Sequence, residues 1–270
     1  MIDKDILELS KEYLMEVDTN ISISSVILSE ENKAKIMEFI KEQENRDKLL
    51  EYGLQPMNRL LFYGASGCGK TYLAKALSNH LKYRMLYVDI AKSLSEGNIA
   101  MNISNIFKIA NTLKRCVIFL DECDSIAWNR DSNVSNDGGN IRRATNSIFQ
   151  HLDQMDVSNI FISATNMLHR LDPAFERRFN MKLEFKKPST NLKETIQKFL
   201  YSKFELVDDV NVSVQEIVER RARLSYYEIQ GIVERAMKKA VLNGTNKVHT
   251  ADIYKDIAIS NRIRIMYDKL

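Results

Sequence analysis

A lysine, a threonine and two carboxylates in this chain are spaced as phosphate chemistry requires. The run Gly64-Ala65-Ser66-Gly67-Cys68-Gly69-Lys70-Thr71 fits the pattern G-x-x-x-x-G-K-[ST]. Its glycines let the backbone turn tightly, so several N–H groups point into one concavity and bind anionic oxygens. Lys70 is placed to reach the β- and γ-phosphates of a nucleotide, and the Thr71 hydroxyl to take one position on Mg²⁺. Gly64 through Tyr72 are the expected nucleotide-binding residues, with Lys70 also expected to take part in catalysis. The second site is Val117-Ile118-Phe119-Leu120-Asp121-Glu122, four apolar residues followed by paired carboxylates. Asp121 is expected to act on Mg²⁺ through a coordinated water. Glu122 is expected to take a proton from, or orient, the water that attacks the γ-phosphate. Apolar-then-acidic segments are common, so this one gains its meaning from the loop before it.

These residues need a scaffold that brings strand ends together. Apolar strands are expected near 59–63, 85–90, 116–121, 159–164 and 182–185. Between them, Leu73, Leu77 and Leu81 mark one helix and Ile99, Ile103, Ile106, Ala110 and Leu113 another. A further helix carries Ile141, Thr145, Ile148 and Leu152. The alternation predicts an α/β fold, a parallel sheet flanked by helices. Ahead of it, Ile2, Ile6, Leu9 and Tyr13 share a helical face, so residues 1–24 read as a helical extension. A helix over roughly 31–50 opens the body. The stretch 131–140 (DSNVSNDGGN) has loop composition. After Pro188 the strands are expected to stop, leaving helices at about 190–204, 213–222, 225–243 and 250–260. The domains are therefore 1–24, an α/β nucleotide-binding part at 25–188, and a small helical part at 189–270.

Composition narrows the function classes. The 270 residues are 44% hydrophobic, enough for a sizeable core, and 39 basic against 36 acidic residues leave a net charge of +3. That balance does not favour nucleic acid as the main partner. No apolar run approaches the ~20 residues that cross a bilayer, and the opening Met1-Ile2-Asp3-Lys4-Asp5 lacks a signal-peptide core, so a cytoplasmic setting is expected. Cys68, Cys116 and Cys123 fit neither a disulfide frame nor a zinc site. Cys116 and Cys123 flank a strand and read as buried small residues. Cys68 lies among phosphate-binding amides, which can lower a thiol's pKa. Four scattered histidines suggest no metal beyond Mg²⁺.

With both motifs in place, residues 25–260 resemble an AAA+ ATPase core, in the protein-remodelling branch and similar to bacterial single-ring members. The resemblance implies a P-loop NTPase sheet followed by a helical lid, with ATP and Mg²⁺ bound between them. It implies that Asn166, ending Ile160-Phe161-Ile162-Ser163-Ala164-Thr165-Asn166, senses the γ-phosphate. Leu171-Asp172-Pro173-Ala174-Phe175-Glu176-Arg177-Arg178-Phe179 resembles the arginine-finger segment, in which an arginine completes the neighbouring subunit's site. Here two arginines are adjacent, and either could be the finger. Ile27 falls where the family packs the adenine base. Gly97 through Phe107 aligns with the pore-loop segment, but Ser95 stands where the family has an aromatic residue, with Leu94 a poor substitute. The region around Tyr226 and Tyr227 lacks a sensor-2 arginine, as in the AAA branch, and either tyrosine could close over the base.

Those parts imply a homo-oligomeric ring, of six subunits, that hydrolyses ATP to remodel or disassemble a protein client, reached directly or through an adaptor. A nucleic-acid-acting protein is the first alternative, resting only on Lys186-Lys187 and Arg262-Ile263-Arg264. A nucleotide-gated scaffold without threading is the second, resting on Ser95.

Overall fold

A computed structural model describes residues 14–90, 92, 99–127, 138–188, 192–212, 215, 218–219 and 222–267. The chain divides into two compact units, Met1–Gly64 with Lys70–Glu184, and Ala65–Gly69 with Phe185–Leu270.

The first unit holds a six-stranded sheet, built from β1 (Leu14–Val17), β2 (Arg59–Gly64), β3 (Arg84–Val88), β4 (Cys116–Leu120), β5 (Ile160–Thr165) and β6 (Met181–Phe185). Their spatial order is β1-β3-β4-β5-β2-β6. The β3–β4, β4–β5 and β5–β2 pairs are parallel. Every residue of β4 and of β5 is buried, as central strands covered on both faces must be. The helices of this unit are α1 (Glu30–Glu44), α2 (Arg46–Glu51), α3 (Lys70–Leu81), α4 (Ile99–Leu113) and α5 (Gly138–Asp153), of which the short α2 buries no residue. One core joins Ile103, Ile106 and Phe107 of α4 to Ile148 and Leu152 of α5 and to Ile118 and Phe161 of the sheet. Each such side chain contributes about 1.5–3 kcal/mol by leaving water. Leu73 and Leu77 of α3 and Ile36, Phe39 and Ile40 of α1 are also buried.

The N-terminal expectation needs correcting. The face drawn from Ile2 to Tyr13 lies outside the described residues, but Leu14–Val17 is a strand, antiparallel to β3. An unpaired sheet edge offers a row of free N–H and C=O groups, and pairing Leu14–Val17 with β3 satisfies them along that edge. A 3₁₀ turn follows at Ile23–Ser25. Most of the loop-like stretch 131–140 lies outside the described residues, though Gly138 already begins α5. Leu94, Ser95 and Gly97 lie outside them too.

The second unit is mainly helical, with α7 (Leu192–Phe199), α8 (Tyr226–Leu242) and α9 (Thr250–Tyr267); the short helix Pro173–Glu176 of the first unit is α6. Strands do not stop at Pro188: β7 (Glu205–Val207) and β8 (Lys247–His249) pair in parallel. Three-residue strands with mixed side chains carry almost no periodic signal, which is why they were not foreseen. The helix expected at 213–222 falls largely outside the described residues. Ile196, Ile229, Ile232, Val233, Ile253 and Ile257 make this unit's core. A capping box starts α8, with Glu228 N–H bonded to the Ser225 hydroxyl and the Glu228 carboxylate accepting from Ser225 N–H at 2.7 Å.

Candidate nucleotide site

Because β2, β5 and β4 are neighbours running the same way, their C-terminal ends share one edge, where open α/β sheets bind ligands. Gly64 ends β2, Asp121 follows β4 and Asn166 follows β5. The register aligns Tyr63 with Thr165 and Leu120 with Ser163.

The first unit gathers six of the expected residues, Gly64, Lys70, Thr71, Asp121, Glu122 and Asn166. Lys70, only 7% exposed, donates from Nζ to the Gly64 carbonyl at 2.8 Å and to Asn166 Oδ1 at 2.6 Å. The Thr71 hydroxyl donates to Asp121 Oδ2 at 3.1 Å. The other Asp121 oxygen accepts the Glu122 N–H at 3.0 Å. Glu122 itself is exposed and takes a left-handed backbone, φ 51° and ψ 41°. For a non-glycine residue that costs about 1–2 kcal/mol. The Glu122 carbonyl accepts Ser125 N–H at 2.9 Å, closing the turn that holds it. The Tyr87 hydroxyl is raised above its usual pKa by burial and then by the charges of Asp121, Asp89 and Glu122. The donor set suits Mg²⁺, with one hydroxyl and one carboxylate, both hard oxygens. Among the described residues no cluster of three metal-ligating side chains exists. Magnesium needs none, since it keeps several waters and takes its remaining ligands from substrate phosphates.

Loop residues Ala65–Gly69 group with the second unit. Gly67 and Gly69 take φ of +70° and +97°, open to glycine and strained for other residues. Gly67 also lacks space, since a Cβ there would lie 2.8 Å from Ser225 Oγ. Its carbonyl accepts the Tyr227 N–H at 3.1 Å, satisfying an otherwise orphaned amide in the first turn of α8. Gly67→Ala is therefore expected to weaken ATP binding tenfold or more and to lower the melting midpoint, reflecting roughly 1–2 kcal/mol of strain. Nucleotide titration and thermal melting check this; parental values in both would show that the loop does not require glycine. The Cys68 thiol is buried and lies 3.7 Å from the Ser66 carbonyl. Burial pushes the Cys116 thiol up to about 11 and the Cys123 thiol up to about 12. Both are inert buried residues, as their strand-flanking positions suggested.

The remaining expected residues stand apart. Tyr72 is exposed and its hydroxyl pairs with Ser25 Oγ at 3.0 Å. That contact ties α3 to the 3₁₀ turn two residues before Ile27, which is half-buried. Arg178 is anchored: its guanidinium lies 3.9 Å above the Phe149 ring, 3.7 Å from Asp153, and donates to the Ala174 carbonyl at 2.8 Å. Asp153 also meets Arg59 at 3.6 Å, at the opposite end of β2 from Gly64. At ~3.3 Å per strand residue, Arg59 lies about 16 Å along β2 from Gly64. Arg177, by contrast, is exposed, with its Nε bonded to the Pro173 carbonyl at 3.1 Å. Tyr226 is buried enough to raise its hydroxyl's pKa, with Cys68 and Glu194 adding to the shift, whereas Tyr227 is 76% exposed.

Two residues were not foreseen from sequence. Asp124 accepts the Thr165 hydroxyl at 2.6 Å, and Thr165 in turn accepts the Met167 N–H at 2.9 Å. Only their nearness to Glu122 and Asn166 in the chain could have pointed to them.

Residues 60–187 match the model of the ATPase family associated with various cellular activities (AAA). The chain belongs to the AAA+ ATPases. It binds and hydrolyses ATP, through an α/β domain that a helical region follows. This AAA+ ATPase is 28% identical over 263 residues to an uncharacterised AAA family ATPase of Sinorhizobium fredii, covering 95% of this chain and 76% of that protein. It is 34% identical over 197 residues to a 26S proteasome regulatory subunit 6B homologue of Dictyostelium discoideum, covering 70% of this chain. The match takes in 48% of that relative's length. Among the described residues no helix is long and apolar enough to cross a membrane.

Proposed function

We propose that this AAA+ ATPase assembles as a homo-oligomeric ring, of six subunits, and uses ATP hydrolysis to remodel a protein partner. The observation that carries the ring is the placement of its paired arginines. Arg178 is locked on Phe149 and Asp153, while the neighbouring Arg177 side chain is exposed to solvent. On this reading Arg178 is occupied within its own fold, and the exposed Arg177 is the arginine offered to the site of another copy. Likeness to a proteasome regulatory subunit supports the choice of a protein as client.

The residues divide the work. Backbone amides of the phosphate loop and Lys70 hold the phosphates. Thr71 and Asp121 hold Mg²⁺, which when bound neutralises charge on the phosphate oxygens. Glu122 orients the attacking water and takes its proton, Asn166 contacts the γ-phosphate, and Arg177 of an adjacent copy stabilises charge on the departing group. Ile27 packs against the base.

A site shared between copies makes turnover depend on assembly. Turnover per subunit is expected to fall steeply as the protein is diluted. Rates that stay flat and high at the lowest concentrations would remove the ring from the proposal.

A further inference from the structure

The turn that carries Glu122 is also a junction. Asp124 lies two residues beyond Glu122, within the 3₁₀ turn Cys123–Ser125. Its Oδ1 receives the Thr165 hydroxyl at 2.6 Å. A hydroxyl has one proton and two lone pairs, so with its proton committed to Asp124, Thr165 can accept only through those pairs. It does so from the Met167 N–H at 2.9 Å. Asn166 is thus pinned by the residues on both sides of it, and its Oδ1 meets Lys70 Nζ at 2.6 Å. Thr165 is 1% exposed, so water cannot readily replace these bonds.

We propose that Asp124 and Thr165 are positioning residues that hold Asn166 in fixed relation to Glu122. The proposal rests on the roles given above to Glu122 and Asn166. The carboxylate that activates water and the amide that contacts the γ-phosphate belong to two strands, β4 and β5. The Asp124–Thr165 bond joins them from the last residue of β5, past the end of the β4–β5 register at Leu120 and Ser163. Movement of the Glu122 turn during hydrolysis thereby reaches Asn166 and Lys70 through one part-buried hydrogen bond.

The same turn meets the finger segment. The Ala127 carbonyl accepts Asp172 N–H at 2.8 Å, and the Asp172 carboxylate caps α6 by accepting Ala174 N–H at 2.7 Å. Arg177 is the C-cap of that helix. Asn166 and Arg177 are therefore both referenced to the backbone that carries Glu122.

The test compares Thr165→Val, Thr165→Ser and Asp124→Asn in the full chain. Kcat and KM for ATP are measured together with the affinity of a fluorescent ATP analogue and the melting midpoint. Thr165→Val keeps the shape and removes both hydrogen bonds, so kcat is expected to fall about tenfold or more, as small misplacements in active sites do. Analogue affinity stays within about threefold, because the loop amides and Thr71 are untouched. Thr165→Ser restores kcat, and Asp124→Asn gives an intermediate loss. Parental kcat in Thr165→Val, no rescue by serine, or affinity falling in step with kcat would overturn the proposal. Should Thr165→Val fail to fold, Asp124→Asn with unchanged kcat would overturn it equally. Glu122→Gln in the same assays separates the two ideas: if that variant hydrolyses ATP at the parental rate, the underlying reading fails, whatever Thr165 does.

Discussion

Glu122→Gln is expected to lower ATP turnover by a factor of about 10²–10⁴ while ATP binding stays within threefold of the parent. The substitution keeps the side chain's size and removes its capacity to take a proton. It leaves intact the backbone N–H that Asp121 accepts at 3.0 Å and the bond from Ser125 N–H to the Glu122 carbonyl at 2.9 Å. The left-handed turn at φ 51° therefore persists. Thr71, Asp121 and Lys70 are untouched, so phosphate binding has no reason to weaken. Phosphate release under saturating ATP, with a parallel nucleotide titration, measures both quantities. Undiminished turnover would mean that Glu122 is not the catalytic carboxylate. The same variant should hold its client in the presence of ATP, so proteins recovered with it, and absent from a Lys70→Ala control, are the candidate partners.

The second large effect separates the paired arginines. Arg177→Ala is expected to reduce turnover by ~10³ or more with little change in melting, because a finger's contribution lies in ~10³–10⁵ of rate and its exposed side chain holds little of the fold. Arg178→Ala is expected to act on stability. It removes a guanidinium 3.9 Å from the Phe149 ring, an interaction of about 0.5–2 kcal/mol, and leaves Asp153 with Arg59 alone. Mixing supplies the decisive measurement. Lys70→Ala subunits retain Arg177, and Arg177→Ala subunits retain Lys70, so mixed assemblies should regain turnover that neither parent has. Loss of turnover in Arg178→Ala at unchanged melting, with Arg177→Ala at parental rates, would reverse the assignment.

Much of this molecule could be read from residue type and spacing. The central strands announce themselves because a sheet covered on both faces needs uninterrupted apolar runs, as in Cys116–Leu120 and Ile160–Thr165. The helix Ile99–Leu113 does so through its 3.6-residue period. The loop Gly64–Thr71 is legible because φ values such as +97° at Gly69 leave few residue choices. Edge strand β1 and the β7–β8 pair were not legible. Four- and three-residue strands depend on partners distant in the chain, and no local pattern records a partner.

The candidate site divides along the same line. Gly64–Thr71 and Asp121–Glu122 are contiguous in sequence, so the chemistry proposed for them could be read from order alone. That Lys70 meets Asn166, that Thr165 meets Asp124, and that Arg178 is spent on Phe149 and Asp153 while Arg177 is exposed, are pairings across long stretches of chain. Two adjacent arginines are chemically identical on paper. Backbone direction and packing set them apart, because successive residues at a helix end face different surroundings. Local order carries the reactive groups, and only folding decides which of them touch.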